Sequence, residues 1–331
     1  MQNLNNIYEN KYLIDYANLK SGIIKYQKNF LSEDEFYDFV KKPFKGMPLL
    51  LPVGLKSFDY SKAKNFFFIK KYFYYKNIYF LKDKKKINYI DKIIKIPCFF
   101  CIGAIPKKKF NKYIKKIVKQ NLEIKKKIYN IKKRFKKIVA FQTRNIPHSG
   151  HLEIINYLLD KYNCVVINPL IGFKKSGDIK SHFLKKIFMF LIKKKYRKKN
   201  IFYFPVVSNF FYAGPREALH HLNLREMLGF KYFLVGRDHA GIKNLYHPFD
   251  AYKFVKKYKY NFKIRVVDIK GAYFSSKTKQ VEISNKFNNG QNLKDISGTN
   301  FRKYLKKKKI YNFADERLQK YIHKIKKNIF Y

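Results

Sequence analysis

The sequence predicts an α/β domain with a parallel sheet, preceded by a mostly β N-terminal part. Three observations carry this expectation. From residue 138 onward, short apolar runs alternate with longer amphipathic ones, the rhythm of parallel strands joined by crossover helices. Before about residue 105 the apolar runs are short and aromatic, bounded by Pro, Gly and charge. Between the two, residues 107–137 are rich in lysine with apolar residues at three- and four-residue steps. The expected division is 1–125 for the N-terminal part with its helical connector, and 126–331 for the main domain with a short C-terminal helical segment.

The elements follow in order. "NFLSEDEFYDFV" (29–40) predicts a short helix with an acidic first turn, while "MPLLLPVGL" (47–55) and "FFFIKKYFYY" (66–75) predict strands. Residues 107–137 predict a surface helix connecting the two parts. "KIVAFQT" predicts a strand and "GHLEIINYLLDKY" a helix, then "CVVINPL" a strand and "SHFLKKIFMFLIKKKY" a helix. "IFYFPVV" is a strand, and "PREALHHLNLREMLG" a helix with Gly near its end. "KYFLVG", "PFDAYKFVKKY" and "FKIRVVDI" complete the series as strand, helix and strand. In open α/β sheets ligands bind beyond the carboxyl ends of the strands. The chemically unusual residues fall there: "QTRNIPHSGH", "NPLIG", "YAGPRE" and "GRDHAG".

Composition adds bounds. The 331 residues carry a formal net charge of +52, which raises the prospect of a polyanionic partner. Of the 74 basic residues only nine are Arg, and Ile, Asn, Phe and Tyr are abundant while Trp is absent. All five enriched types are encoded by A+T-rich codons, so mutational bias accounts for the lysine excess without a ligand. The same bias makes the arginines informative, because the planar guanidinium fork matches an oxyanion in a way that lysine cannot copy. Four of the nine lie in the motifs: Arg144, Arg216, Arg237 and Arg302. Three cysteines do not make a disulfide framework, and "CFFC" (98–101) lacks a second pair to complete a zinc site, so buried structural cysteines and no protein-bound zinc are expected. No leader and no membrane-spanning run are visible, so a cytoplasmic location is expected, without a membrane partner.

"HSGH" (148–151) opens the first crossover helix of the main domain. Its glycine allows close backbone approach, and the helix N-terminus directs N–H groups at an anion. Two histidines there can donate to phosphate oxygens. "ISGTNFR" (296–302) is a second cradle of the same kind, with hydroxyls at a helix start and Arg302 one turn on. HxGH early and ISxTxxR late resemble the nucleotidylyltransferase superfamily. With "QTRNIPHSGH", "NPLIGFKKSGD", "YAGPREALHH" and "GRDHAG" in this order, residues 138–306 are similar to the ATP sulfurylase family (sulfate adenylyltransferases), in a single-function form: nothing resembles the GxxxxGK[ST] loop of a kinase domain.

The resemblance implies a Rossmann-like, HUP-type catalytic domain and a PUA-like N-terminal domain. It implies that sulfate and ATP give adenosine 5′-phosphosulfate and pyrophosphate, by direct in-line attack and without a covalent protein intermediate. It implies that Gln142 and Arg144 hold sulfate near the Ala240 backbone, with Thr143 and Asn145 beside the reacting phosphate. Gln142, His148, His151, Gly236, Arg237, Asp238 and His239 would line the ATP site, and Ala272 would meet adenine. Mg²⁺ would come with ATP, and a homo-oligomer is expected. Phe211, Leu152 and Ile242 depart from the family pattern. Arg216 and Glu217 read as an ion pair ordering their loop, His220 and His221 as surface helix residues, Asp178 as a helix cap, "YHPFDA" (246–251) as a helix start, and "SSKTK" (275–279) as chance. Two competing readings remain: another HxGH adenylyltransferase, or an RNA-binding protein on a decayed scaffold. Lysines scattered without a basic stripe count against nucleic acid as a partner.

Overall fold

The computed structural model describes residues 4–242, 245–284, 293–325 and 329–331. The N-terminal part holds α1 (Leu4–Lys20), α2 (Glu33–Lys41), β1 (Leu51–Pro52), β2 (Phe58–Asp59), β3 (Asn65–Phe68), α3 (Lys71–Ile78), α4 (Lys84–Ile94), β4 (Phe99–Ile102) and β5 (Ile105–Pro106). The mostly β expectation is corrected here, because helical residues outnumber strand residues in this part. "FFFIKKYFYY" divides into β3 and the start of α3. Tyr74, Tyr75 and Ile78 share the buried side of α3, so tertiary packing overrides the strand propensity of the aromatics. The α2 expectation holds: Ser32 accepts from the Glu35 N–H at 3.3 Å and Glu35 accepts from the Ser32 N–H at 2.8 Å, a capping box.

The lysine-rich stretch is α5 (Asn111–Lys132), which buries Ile114, Ile117, Ile124, Ile128 and Ile131 along one stripe. The position expected to divide the parts, 125/126, falls inside this helix. Then come β6 (Ile138–Phe141), α6 (Ser149–Lys161), β7 (Cys164–Ile167), α7 (Ser181–Lys194), β8 (Ile201–Tyr203), α8 (Pro215–Leu228), β9 (Tyr232–Leu234), α9 (Asp250–Lys257), β10 (Arg265–Val266), β11 (Gly271–Ser275), β12 (Val281–Ser284), β13 (Leu293–Asp295), α10 (Gly298–Lys306) and α11 (Glu316–Ile325).

Five of these strands make a parallel sheet in the order β10-β9-β6-β7-β8. Strand alternation sorts the core into two layers. Ile138, Ala140, Cys164, Val166 and Phe233 face one cluster with α5, α8, α9 and the N-terminal part. Val139, Phe141, Val165, Ile167 and Leu234 face another with α6, α7, α10 and α11. This is an α/β Rossmann-like domain. The chain winds outward from β6 through β7 to β8, then crosses to β9 on the other side of β6. The carboxyl ends of β6 and β9 therefore flank a topological switch point, where such sheets open a crevice. "QTRN" follows β6 and "GRDHAG" follows β9.

Buried polar bonds fasten the N-terminal part to the loop after β8. The Asn121 amide donates to Asn18 Oδ1 at 2.9 Å and to Val207 O at 3.0 Å, and accepts from the Val207 N–H at 2.9 Å. Asn209 donates to Lys11 O at 2.8 Å and to Asp15 at 2.6 Å. Tyr79 Oη donates to Phe211 O at 2.8 Å. Cys101 and Cys164 are buried and all three cysteines are free. Among the described residues no helix is long and apolar enough to cross a membrane.

Candidate active site

The loop after β6 carries the first group of side chains. Thr143 Oγ1 accepts the Asn145 N–H at 3.1 Å and lies 3.3 Å from His151 Nε2. His151 Nδ1 accepts the His148 N–H at 3.4 Å. With its Nδ1 accepting, neutral His151 carries its proton on Nε2, facing Thr143. The threonine hydroxyl then accepts twice and has its own proton free for a ligand. The His148 and His151 rings lie with centroids 4.0 Å apart, tilted by 57° to each other. Burial lowers both, His148 well below the usual imidazole range with His151 and Arg237 adding to it, and His151 to about 4. Both rings are therefore neutral near pH 7 and present N–H groups rather than charge.

Gly150 fits between these parts: a Cβ there would stand 3.2 Å from the His148 ring and 3.7 Å from Ala272 Cβ. The glycine thus admits the His148 ring, and β11 brings Ala272 against the start of α6.

Arg144 is the cation of this loop. Its Nη2 donates to Gly241 O at 2.6 Å, and its guanidinium lies 5.2 Å from the centre of the Tyr212 ring. Burial pulls its proton affinity down, but Asp178, then Tyr212 and Asp238, outweigh that and hold it above its ordinary value. Its Nη1 is buried without a hydrogen-bond partner, as are Gln142 Oε1 and His148 Nδ1. Buried polar atoms without partners are costly. Three on one loop leave positions for ligand atoms.

The second loop, after β9, supplies Gly236, Arg237, Asp238, His239 and Ala240. Asp238 and Ala240 both adopt positive φ, 52° and 56°, a strained state that clusters at functional sites. The Asp238 N–H donates to Pro248 O at 2.7 Å, which sets "YHPFDA" against this loop. Arg237 lies 5.3 Å from the Tyr273 ring centre on β11. Burial raises Asp238, opposed by Arg144 and Arg237. The Ala240 carbonyl accepts from the Gly214 N–H at 3.1 Å, joining this loop to "YAGPRE".

The third group comes from the late turn. Ser297 caps α10 by accepting the Asn300 N–H at 3.3 Å. Arg302 donates to Asn145 Oδ1 at 3.0 Å and to Thr299 Oγ1 at 3.1 Å. The two cradles are thus physically joined.

Several residues stand elsewhere than their local pattern suggested. His220 and His221 are not surface residues: both are fully buried. His220 Nδ1 lies 2.8 Å from Tyr26 Oη, in the N-terminal part. Arg216 and Glu217 do not form the expected ion pair. Arg216 donates to Gly46 O and Asn77 O, both at 3.4 Å, while Glu217 accepts the Phe211 and Ala213 N–H groups at 3.0 Å each. Asp178 is no helix cap: it is buried, accepts the Tyr212 hydroxyl at 2.8 Å, and lies 3.7 Å from Lys175 Nζ. "SSKTK" spans the turn between β11 and β12. Phe211, Leu152 and Ile242, the departures from the family pattern, all lie in the core.

Tyr212, Asp178, Lys174 and Lys175 are the neighbours of Arg144 that local reasoning missed. Their signal was present, since "YAGPRE" and "KKSGD" follow the ends of neighbouring parallel strands. Burial lowers Lys174 to about 8, with Asp178 opposing. Among the described residues, no group of three or more His, Cys, Asp or Glu is placed to hold a metal ion.

Against known proteins, the ATP-sulfurylase family model matches residues 115–312, more than half of the chain. The chain belongs to the ATP-sulfurylase family. Sulfate adenylyltransferases are among its curated relatives: that of Ignicoccus hospitalis is 40% identical over 126 residues, 38% of this chain and 33% of the relative. That of Staphylothermus marinus is 35% identical over 176 residues, 53% and 46% of the two chains, and that of Pyrococcus abyssi 42% identical over 120 residues, 36% and 32%. The matches thus span about a third to a half of the relatives' length. Among solved structures, a hexameric APS kinase from Thiobacillus denitrificans has a TM-score of 0.46 at 12% identity, over 70% of this chain and 45% of that one. The ATP-sulfurylase match covers all three loops of the site.

Proposed function

We propose that the chain is a sulfate adenylyltransferase, joining sulfate to the α-phosphate of ATP with release of pyrophosphate, reversibly. The observation that carries this reading is the pair of unpartnered buried nitrogens on one loop, Arg144 Nη1 and His148 Nδ1, in a chain of this family. Sulfate is already an anion, so the reaction needs no general base. It needs charge compatibility between a dianion and a polyphosphate, which positioning and electrostatics supply. Arg144 would hold the sulfate with Gln142 and the Ala240 backbone. The free Thr143 proton and Asn145 would sit beside the α-phosphate. His148 and His151 would donate N–H groups to the phosphates as charge builds on pyrophosphate. Gly236, Arg237, Asp238, His239 and Ala272 would line the nucleotide.

The donor set fits a metal that arrives on the nucleotide rather than one caged by protein. Cations and neutral imidazoles dominate the loops, and Asp178 is already engaged with Tyr212. Mg²⁺ held by phosphate oxygens and water would neutralise part of the polyphosphate charge. The chain's own residues then orient the two anions.

The same reading extends to the rest of the molecule. The N-terminal part, with its short sheets around β4 and β5, would correspond to the family's PUA-like domain. Residues 1–125 and 126–331 would form two units sharing α5, and the protein would work as a cytoplasmic homo-oligomer. The test is ATP formation from adenosine 5′-phosphosulfate and pyrophosphate with Mg²⁺, run beside Arg144→Ala. Activity lost in a folded variant supports the reading; a folded wild-type protein that makes no ATP overturns it.

A further inference from the structure

One buried ring connects three of the loops described above. His221 is fully buried on α8. Its Nδ1 lies 3.2 Å from Gln142 Nε2, on the loop after β6, and 2.9 Å from His239 Nε2, on the loop after β9. Its Nε2 faces Glu217 one helical turn earlier, 3.1 Å from Oε1, at an angle short of a good hydrogen bond. Glu217 is itself fully buried, and its two oxygens hold the N–H groups of Phe211 and Ala213, on either side of Tyr212. The Tyr212 ring in turn lies against Arg144.

We propose that Glu217 and His221 are positioning residues for the sulfate end of the site, fixing the Gln142 amide through one imidazole and the Tyr212 ring through one carboxylate. This inference rests on the sulfate adenylyltransferase reading and names residues within it.

The hydrogen-bond network gives the direction. Burial raises Glu217 to about 7; once ionised above that, a carboxylate that accepts two backbone N–H groups offers only a lone pair to His221 Nε2, so the imidazole proton belongs on Nε2. His221 Nδ1 is then an acceptor. It selects the nitrogen side of the Gln142 amide and leaves that nitrogen's second N–H for another partner. An amide released from His221 can turn its oxygen toward an anion, which repels it. Burial, then Arg225 and Arg144, keep His221 well below the usual imidazole range, consistent with a neutral ring carrying one donor and one acceptor.

The test compares wild type with His221→Phe, which keeps ring volume and loses both nitrogens, and with Glu217→Gln. KM for sulfate and for ATP, kcat, Tm and the rise in Tm on adding sulfate are measured for each. A positioning role raises the sulfate KM about tenfold, the scale of one or two lost hydrogen bonds, with the ATP KM within about twofold. A merely structural role lowers Tm and active fraction and leaves both KM values unchanged, and that result overturns the inference. Should His221→Phe fail to fold, His221→Gln retains one polar contact, and a sulfate KM between wild type and the tenfold rise supports the role while an unchanged one overturns it. If wild type makes no ATP, the functional reading falls. The sulfate-induced rise in Tm then decides the inference: present in wild type and lost in the variant, it stands; equal in both, or absent from both, it falls.

Discussion

Arg302 donates to Oδ1 of Asn145 at 3.0 Å, across 157 residues of sequence. Its other terminal nitrogen holds Thr299 at 3.1 Å, so one guanidinium spans the turn that opens α10 and the loop that follows β6. The position of Asn145 in the loop after β6 thus depends on a residue of α10.

Arg302→Ala is expected to lower kcat/KM about 10- to 100-fold, since a charged hydrogen bond contributes about 1.5–3 kcal/mol. Arg302→Lys is expected to recover little, because one ammonium cannot span both acceptors. Steady-state kinetics on both variants, with circular dichroism for folding, check this. Full activity in Arg302→Ala would show that the two loops hold themselves apart from this bond.

Arg144 has one terminal nitrogen bound to Gly241 O and one buried without a partner. Arg144→Ala should abolish most turnover, by about 10²–10³-fold, the scale for removing a key electrostatic donor. Stability should fall little, since the unpartnered nitrogen costs the fold something in the absence of ligand. Arg144→Lys should remain at least tenfold impaired. Pyrophosphate-dependent ATP formation and thermal melts separate the two effects.

The histidines set an acid limit. His151 is lowered from 6.5 to about 4 by burial, and His220 to about 3 by burial and His221, partly opposed by Glu217. Between the unfolded value and these folded ones the unfolded chain binds more protons, so stability falls as pH drops from about 6.5 toward 4. Glu217 and Asp15, both raised to about 7 by burial, act in the opposite sense over roughly the same range. His148, His182, His221 and His239 are also lowered and Asp238 is also raised, so six histidines oppose three carboxyls and a net loss of Tm below pH 6 is expected. Melting His151→Gln across pH 4–8 should give a shallower acid slope than wild type; an identical slope would remove His151 from the account.

Two glycines should behave differently. A Cβ at Gly172 would stand 2.4 Å from the Ser208 carbonyl, and one at Gly241 2.1 Å from Asp238 Oδ1. The first obstacle is backbone and the second is the end of a short side chain. Gly172→Ala should cost about 1–3 kcal/mol of stability, the range for overpacking. Gly241→Ala should leave Tm nearly unchanged but displace the Asp238 carboxylate and lower activity. The double variant Gly241→Ala/Asp238→Ala should then match Asp238→Ala alone, as a double-mutant cycle would reveal.

Much of the main domain was legible because its signals are local. β6 to β10 lie within the runs that predicted them, and Gly229 ends α8 at φ 97°. The site loops were legible for the same reason, since strand ends locate the crevice before any coordinate is known. The N-terminal part was not: runs such as "KYFYYKNI" suit either period, and long-range packing decided for helix.

The sequence by itself determined the alternation that makes a parallel sheet, the order of the motifs along its carboxyl edge, and the family those motifs resemble. The tertiary structure decided the environment of each polar side chain. Nothing local distinguishes His221 from a solvent-facing helix residue, or Asp178 from a cap. Each is buried because α8 and the loops after β7 and β8 are enclosed by elements distant in sequence. Burial then fixes protonation and hydrogen-bond partners, because a polar group removed from water keeps only the partners that the fold supplies.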